Sequence, residues 1–487
     1  MTFTSTLFLF LFLPIAMGIY YLARSGLKNI ILVAVSLLFY AVGEPRLVWL
    51  LIGSIAVNYL IGLAMESTAE KKWLHRGTLL AMLAWNFGTL FYYKYFIFSI
   101  ETVNTLFGLN IALPVIGLPL GISFFTFRTV SYGLDVHWGT VRALKNPIDL
   151  ALYVSFFPQV TMGPIDKYAN FEKQLHGRTF DKTAFIEGIQ QIIAGLFKKL
   201  FFSNSLGMMV DRVFEMQTGE RTVLLAWLGI VGYMLQLYYD FAGYSDIAIG
   251  LGKLFGFKTP QNFDYPYISK SVVEFWNRWH MTLGAWLKDY IYTPVFRTLM
   301  DKKSISIFKC NIIALFVVWL FAGVWHGAGL KFIVYGLYYF VFIALERTVE
   351  YLQKQRRKRL KIKKKSETKL HVIGMHVYLL VVILFGQLLF RADSLAAYWQ
   401  YIGSLFGTHG AGLTNTLSRT LMSQNILLIS VGAVFCLPVA RWLREKTMRL
   451  FGEWQPFLQT GLYLGLFVIA IAYAFTNTYQ SFIYFQF

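Results

Sequence analysis

Long apolar runs, separated by short basic or Gly/Pro-containing breaks, make up most of the chain. The clearest lie at 3–23, 29–43, 47–65, 78–98, 111–127, 308–325, 330–348, 372–390, 425–440 and 459–476. A helix needs about 20 such residues to cross a bilayer. Between 148 and 295 the pattern is less regular, with crossings expected near 185–207 and 222–250. Around them, Phe156-Phe157-Pro158-Gln159 and Gly163-Pro164-Ile165 interrupt the apolar pattern. Proline and glycine at membrane depth are tolerated only where protein or a watery cavity covers the backbone. Segments 148–165 and 271–295 are therefore expected to be re-entrant or interfacial helices lining a cavity. The apolar run at 7–19 has no basic stretch before it, and many spans follow, so it reads as an uncleaved first helix. The pattern predicts an all-α polytopic membrane protein, one unit over 1–487. Within it lie N-terminal helices (1–147), a core (148–350), a basic loop (351–370) and C-terminal helices (371–487).

Composition agrees. Hydrophobic residues are 56% of the 487 and charged residues 14%, where a soluble domain has about a quarter charged. Mean hydropathy is +0.53. A soluble globular enzyme and a disordered chain are both excluded. Aromatics reach 18%, as wide interfacial belts require. Cys310 and Cys436 both sit in apolar stretches, so neither a disulfide framework nor a thiolate metal site is implied.

The formal charge of +20 reads as a sidedness signal, because cytoplasmic loops carry the excess of Lys and Arg. There is no folded basic domain to suggest nucleic acid. Arg24 and Lys28, then Lys71, Lys72 and Arg76, then Arg441, Arg444, Lys446 and Arg449 follow successive spans. The densest run is 354–365, where nine of twelve residues are basic. With all of these inside, twelve crossings result and both termini lie outside. The segment 354–369 is also suited to anionic lipid.

GxGxxG, P-loop, GxSxG and HExxH motifs are missing, which argues against nucleotide enzymes, serine hydrolases and zincins. Chemistry must come from elsewhere. His326, in Ala322-Gly323-Val324-Trp325-His326-Gly327, is set between two apolar runs. An ionisable group at such depth marks a functional site by default, and neutral imidazole can take a proton from a hydroxyl. His280 lies in Glu274-Phe275-Trp276-Asn277-Arg278-Trp279-His280. That stretch reads equally as a polar cavity wall and as an interfacial helix with tryptophans at headgroup level. Asp240 and Asp246, in Tyr239-Asp240-Phe241-Ala242-Gly243-Tyr244-Ser245-Asp246, need partners in apolar surroundings. Arg278 and Lys288 are the expected ones. The aromatic end Phe482-Ile483-Tyr484-Phe485 either anchors at the interface or tucks back, where a phenol can carry an acyl group if a base activates it.

Taken in order, several stretches resemble membrane-bound O-acyltransferases of the alginate- and peptidoglycan-acetylating branch. They are Leu118-Pro119-Leu120-Gly121-Ile122-Ser123-Phe124-Phe125, Phe156-Phe157-Pro158-Gln159, Gly195-Leu196-Phe197-Lys198-Lys199, the Asp240–Asp246 stretch, Phe275-Trp276-Asn277-Arg278-Trp279-His280, Trp325-His326-Gly327 and the aromatic end. The resemblance covers nearly the whole chain. It implies a ring of about twelve helices around a hollow, with His326 as the family's membrane histidine and His280 as its second. Tyr484 corresponds to a C-terminal acyl relay, and Asn277, Arg278, Asp240, Asp246 and Trp325 to cavity support. No metal or bound cofactor is implied.

Arg128, where glutamine is common, departs from the alginate pattern, and Gly163-Pro164-Ile165-Asp166-Lys167-Tyr168 and Asn277 lean toward D-alanyl-transferring relatives of teichoic acid modification. The expected function is acetyl transfer from a cytosolic thioester, acetyl-CoA, across a bacterial cytoplasmic membrane to an extracellular polysaccharide. Alternatives are D-alanyl transfer and a transporter without covalent chemistry. The acceptor polymer and CoA stay on opposite sides, so a partner serine-type (SGNH) transferase outside is expected to receive the acyl group.

Overall fold

The computed structural model describes residues 1–302, 304–361, 363, 368–476 and 479, and every regular element among them is helical. α1 (Leu13–Leu22) continues a π-turn at Phe8–Phe12. It is followed by α2 (Lys28–Gly43), α3 (Val48–Ser67), α4 (Lys72–Lys94), α5 (Phe96–Phe107) and α6 (Ile122–His137). Short helices α7 (Pro147–Ser155), α8 (Phe157–Val160) and α9 (Tyr168–Phe171) precede α10 (Lys182–Phe197), α11 (Asn204–Phe214) and the long α12 (Val223–Leu254). Then come α13 (Val272–Arg278), α14 (Met281–Leu287), α15 (Thr293–Asp301), α16 (Ile307–His326) and α17 (Leu330–Leu360). α18 (Lys369–Arg391), α19 (Leu395–Leu405), α20 (Thr416–Phe435), α21 (Val439–Phe451) and α22 (Gln455–Thr476) complete the order.

Seven helical segments among the described residues are long and apolar enough to cross a bilayer: Ser25–Gly43, Val48–Ser67, Val223–Leu254, Ile307–His326, Leu330–Leu360, Lys369–Arg391 and Val439–Thr476. The run at 111–127 is not a single helix. Residues 109–119 are irregular and mostly exposed, and α6 starts only at Ile122. Pro114 and Pro119 explain the shift, since proline removes a helical N–H and clashes with the preceding turn. α6 itself is almost wholly buried, so it runs through the protein interior.

α12 is the central post, with most of its side chains buried. α10 lies against it without intervening side chains. A Cβ on Gly195 would come within 2.5 Å of the Gly243 carbonyl oxygen, and one on Gly250 within 2.5 Å of that of Gly188. Small residues at a helix contact let backbones touch, which is how helices pack where the hydrophobic effect is missing. The seven-residue spacing of both pairs keeps the contact going for two turns. Between α10 and α11 the helix does not stop but widens into a π-turn at Lys198–Ser203, a distortion common at functional sites. It turns Lys198 and Lys199 onto α12, where Lys198 binds Asp246 at 2.6 Å and Lys199 pairs with Asp240. The sequence expectation is corrected here. Arg278 bridges Asp264 (3.0 Å) and Glu274 (3.1 Å), and Lys288 is exposed. A lysine beside each aspartate in space, supplied by the neighbouring helix, outcompetes cations on a separate segment.

Candidate functional site

α16 ends at His326 because Gly327 is extended and Gly329 has φ of +151°. The histidine is therefore the last residue of α16, at a helix break. Its ring is 8% exposed and is clamped by the edges of Tyr335 (5.4 Å) and Phe390 (5.2 Å), with Trp325 at 4.7 Å. It faces a cavity of about 70 Å³ shared with Lys94, Ser123, Thr161 and the backbone around Leu120 and Gly121. Gly121 (φ +69°) caps the start of α6, and a Cβ there would sit 2.8 Å from Thr161 Cα. The cavity floor thus depends on two backbones meeting where only glycine fits.

His280 comes from a different direction. It joins α13 to α14 in the left-handed region (φ 46°), a conformation costing about 1–3 kcal/mol when surroundings enforce it. Asn262 is what enforces it. The Asn262 Oδ1 lies 3.0 Å from His280 Nδ1 and also accepts from Thr282 Oγ1 at 2.9 Å, while its Nδ2 donates to Ser245 Oγ at 3.0 Å. The backbone carbonyl of Asn262 takes the N–H of Met281 at 2.9 Å. With the amide oxygen directed at Nδ1, that nitrogen carries the hydrogen. Nε2 keeps its lone pair, buried and without a hydrogen-bond partner, against the Phe241 ring at 4.5 Å. A neutral imidazole with a free lone pair is what proton abstraction needs.

The other histidines differ. His75 and His137 stack at 4.2 Å, His176 meets Asp149 at 3.1 Å, His376 meets the Ser269 carbonyl at 2.9 Å and His409 the Gln400 carbonyl at 3.1 Å. His326 makes no side-chain hydrogen bond among the described residues, and Lys94 lines the same cavity. The segment that ends in His280 reaches the His326 wall through Trp276, whose ring meets Tyr339 at 4.8 Å, and Tyr339 meets Tyr335 at 5.1 Å.

The remaining sequence candidates divide. Trp325 belongs to the His326 wall, buried, with its Nε1 unpartnered and its ring 5.3 Å from Phe127. Asp240 and Asp246 tie α12 to the π-turn, away from Arg278. Asn277 is exposed on α13, beside the half-buried Arg278. Trp279 and Trp286 are 4% and 1% exposed, so these tryptophans are packed inside the protein, not set at headgroup level. Tyr484 lies outside the described residues. Tyr479, just before it, donates to the Asp211 carboxylate, which also pairs with Arg391 at 3.0 Å.

Three contributors escaped the sequence reading. Asn262 sits in an irregular stretch, and nothing in its neighbours announces that it orients a histidine. Thr161, bonded to the Tyr244 hydroxyl at 2.5 Å, reads as loop polarity. Lys94 carried a usable signal, a single charge inside the apolar run 78–98.

Residues 90–390, which hold both histidines, match the profile of the MBOAT, membrane-bound O-acyltransferase family. The chain is 33% identical over 509 aligned residues to the probable alginate O-acetylase AlgI of Pseudomonas putida, covering all of both chains. It is 27% identical to the peptidoglycan O-acetyltransferase of Helicobacter pylori over 100% of this chain and 97% of that one. Likeness to the teichoic acid D-alanyltransferase of Bacillus subtilis, at 33% identity, covers 46% of this chain and 58% of the relative.

Proposed function

The chain belongs to the membrane-bound O-acyltransferase family, and from that premise we propose that it passes an acetyl group from cytosolic acetyl-CoA across the membrane for O-acetylation of an extracytoplasmic polysaccharide. The observation that carries this reading is the His326 cavity, a buried neutral base beside room for a small acyl group, inside the segment that matches the family. Full-length likeness to O-acetylases, against partial likeness to D-alanyltransferases, favours acetyl.

His326 removes the proton of the attacking hydroxyl, and His280 supports it with a lone pair fixed by Asn262. Tyr484 is the acyl relay, and an external serine-type transferase takes the group onward to alginate, peptidoglycan or another wall polymer. The helices form a ring of twelve crossings in a bacterial cytoplasmic membrane, with the polybasic 354–365 segment inside and both ends outside. The charge pattern and the lengths of α16, α17 and α18 support that orientation.

The test is mass spectrometry of ester-linked groups on isolated envelope polymers, with and without this protein. Acetyl esters that vanish with the protein, and with His326→Ala at normal protein level, are the expected result. A positioned acid–base group typically contributes about 10²–10⁴-fold. D-alanyl esters in their place would assign the donor to the teichoic acid type. Unchanged esters in His326→Ala would remove His326 from the mechanism.

A further inference from the structure

Lys94, the last residue of α4, is the only lysine or arginine among the described residues that line the His326 cavity, and no aspartate or glutamate lines it. It makes no ion pair among the described residues. Its Nζ donates to the Trp325 carbonyl at 2.5 Å and stands 5.6 Å from the centre of the Trp325 ring. An ammonium has three protons to give, and the carbonyl takes one. A cation without a counter-ion in such surroundings is costly, and a cost of this kind is retained where it serves function.

Capping alone is a weak account. The carbonyls ending α16 do benefit from a cation, yet Tyr95, the next residue, already donates to the Val324 carbonyl at 2.8 Å. A neutral donor is enough there, and it carries no charge into the cavity. We propose that Lys94 is a catalytic residue, the fixed positive charge that receives the acyl carbonyl oxygen as it becomes an oxyanion in the His326 cavity.

This rests on the acyl-transfer reading of that cavity. In the step, the attacking hydroxyl oxygen bonds the acyl carbon and its proton passes to the His326 imidazole. The carbonyl electron pair moves onto oxygen, which lies against the Lys94 ammonium. When the pair returns, the bond from the acyl carbon to the departing carrier atom breaks, and that atom takes the proton from His326. Lys94 keeps its proton throughout. Its task is electrostatic stabilisation of the charge that develops on that oxygen.

The experiment uses the full-length protein in its host membrane. It measures the initial rate of O-acyl incorporation into envelope polymers per detergent-extracted monodisperse molecule. Lys94→Gln keeps a donor for the Trp325 carbonyl and deletes the charge; Lys94→Arg keeps both. Loss of one oxyanion donor costs about 10²–10³-fold, and that is the expected loss in Lys94→Gln, with recovery of at least about tenfold in Lys94→Arg. Tyr95→Phe, which removes only a cap, should lower thermal stability and leave the rate per folded molecule unchanged. Lys94→Gln within twofold of wild type, while His326→Ala is dead, overturns the charge role and leaves the site standing. Equal rates in Lys94→Gln and Lys94→Arg also overturn it. Full activity in His326→Ala removes the acyl-transfer reading of the cavity, and the Lys94 role with it.

Discussion

The two imidazoles of the candidate site are held in opposite ways. His326 is gripped by aromatic edges and makes no side-chain hydrogen bond among the described residues, so its orientation comes from packing. His280 is held by one oxygen, that of Asn262, and Asn262 is itself fixed by Ser245 and Thr282. Removing Asn262 frees the His280 tautomer without touching the ring. Asn262→Ala and His280→Ala should therefore slow acyl transfer through the same channel. The double variant should be no slower than about the worse single one, because residues acting as a unit are not additive. Initial rates of polymer acylation for the four proteins check this; a multiplicative double loss would mean that Asn262 acts independently of His280. The difference between the two histidines also explains what the sequence disclosed. His326 announced itself as a lone ionisable group between apolar runs. The partner of His280 lies eighteen residues upstream in a stretch without periodicity, and only folding brings the two together.

At the scale of elements, the frame of the site is a set of backbone contacts that tolerate no side chain. α10 and α12 touch through Gly195 with Gly243 and Gly188 with Gly250, and their closeness is what lets Lys198 and Lys199 reach Asp246 and Asp240. Gly195→Leu should force the helices apart, costing about 1–3 kcal/mol as overpacking does, and more if the buried Lys199–Asp240 pair opens. Gly374→Ala, on α18 with open space at its Cβ position, is the matched control and should fall within about 0.5 kcal/mol of wild type. Thermal unfolding in detergent separates them, and equal midpoints would show that the close crossing carries no strain. Long runs such as 29–43, 47–65, 308–325 and 372–390 were legible as helices because apolarity over that length has one solution in lipid. The run 111–127 was misread because hydropathy does not register the prolines that delay α6. The pairing of charges was misread because a π-turn, invisible in sequence, decides which way Lys198 and Lys199 point.

Across the whole molecule, the ends of α16 and α18 share one side, since α17 packs on both and runs against them. On that side stand His326, Lys94 and Arg391, and on the other the basic end of α17 and α21. In the orientation proposed above, a cysteine placed at position 360 reacts with an impermeant thiol reagent only after the membrane is opened; labelling in intact cells would invert the topology. The same side receives Tyr479. Tyr479 is moored to Asp211, which Arg391 also holds at 3.0 Å, and the residue before Arg391 is Phe390, whose ring meets His326 at 5.2 Å. Tyr479 also lies against Gly207 and the Gln236 amide. Five residues along α12 from Gln236, a rise of about 7.5 Å, comes Phe241, the neighbour of His280. From Tyr479, five further residues of extended chain reach at most about 17–18 Å. In the relay proposed above, the Tyr484 hydroxyl meets one of the two histidines. A phenol with an ordinary pKa near 10 is a poor nucleophile at neutral pH, so the relay requires such a base. In that proposed relay the phenyl ester is a better acyl donor than an alkyl ester, which suits onward transfer to the proposed serine-type partner. Tyr484→Phe keeps the ring and deletes only the hydroxyl. The expected outcome is loss of polymer acylation at normal protein level, while Tyr479→Phe, which loosens the mooring, gives a partial loss. Full acylation in Tyr484→Phe would reduce the aromatic end to an anchor and require another acyl carrier.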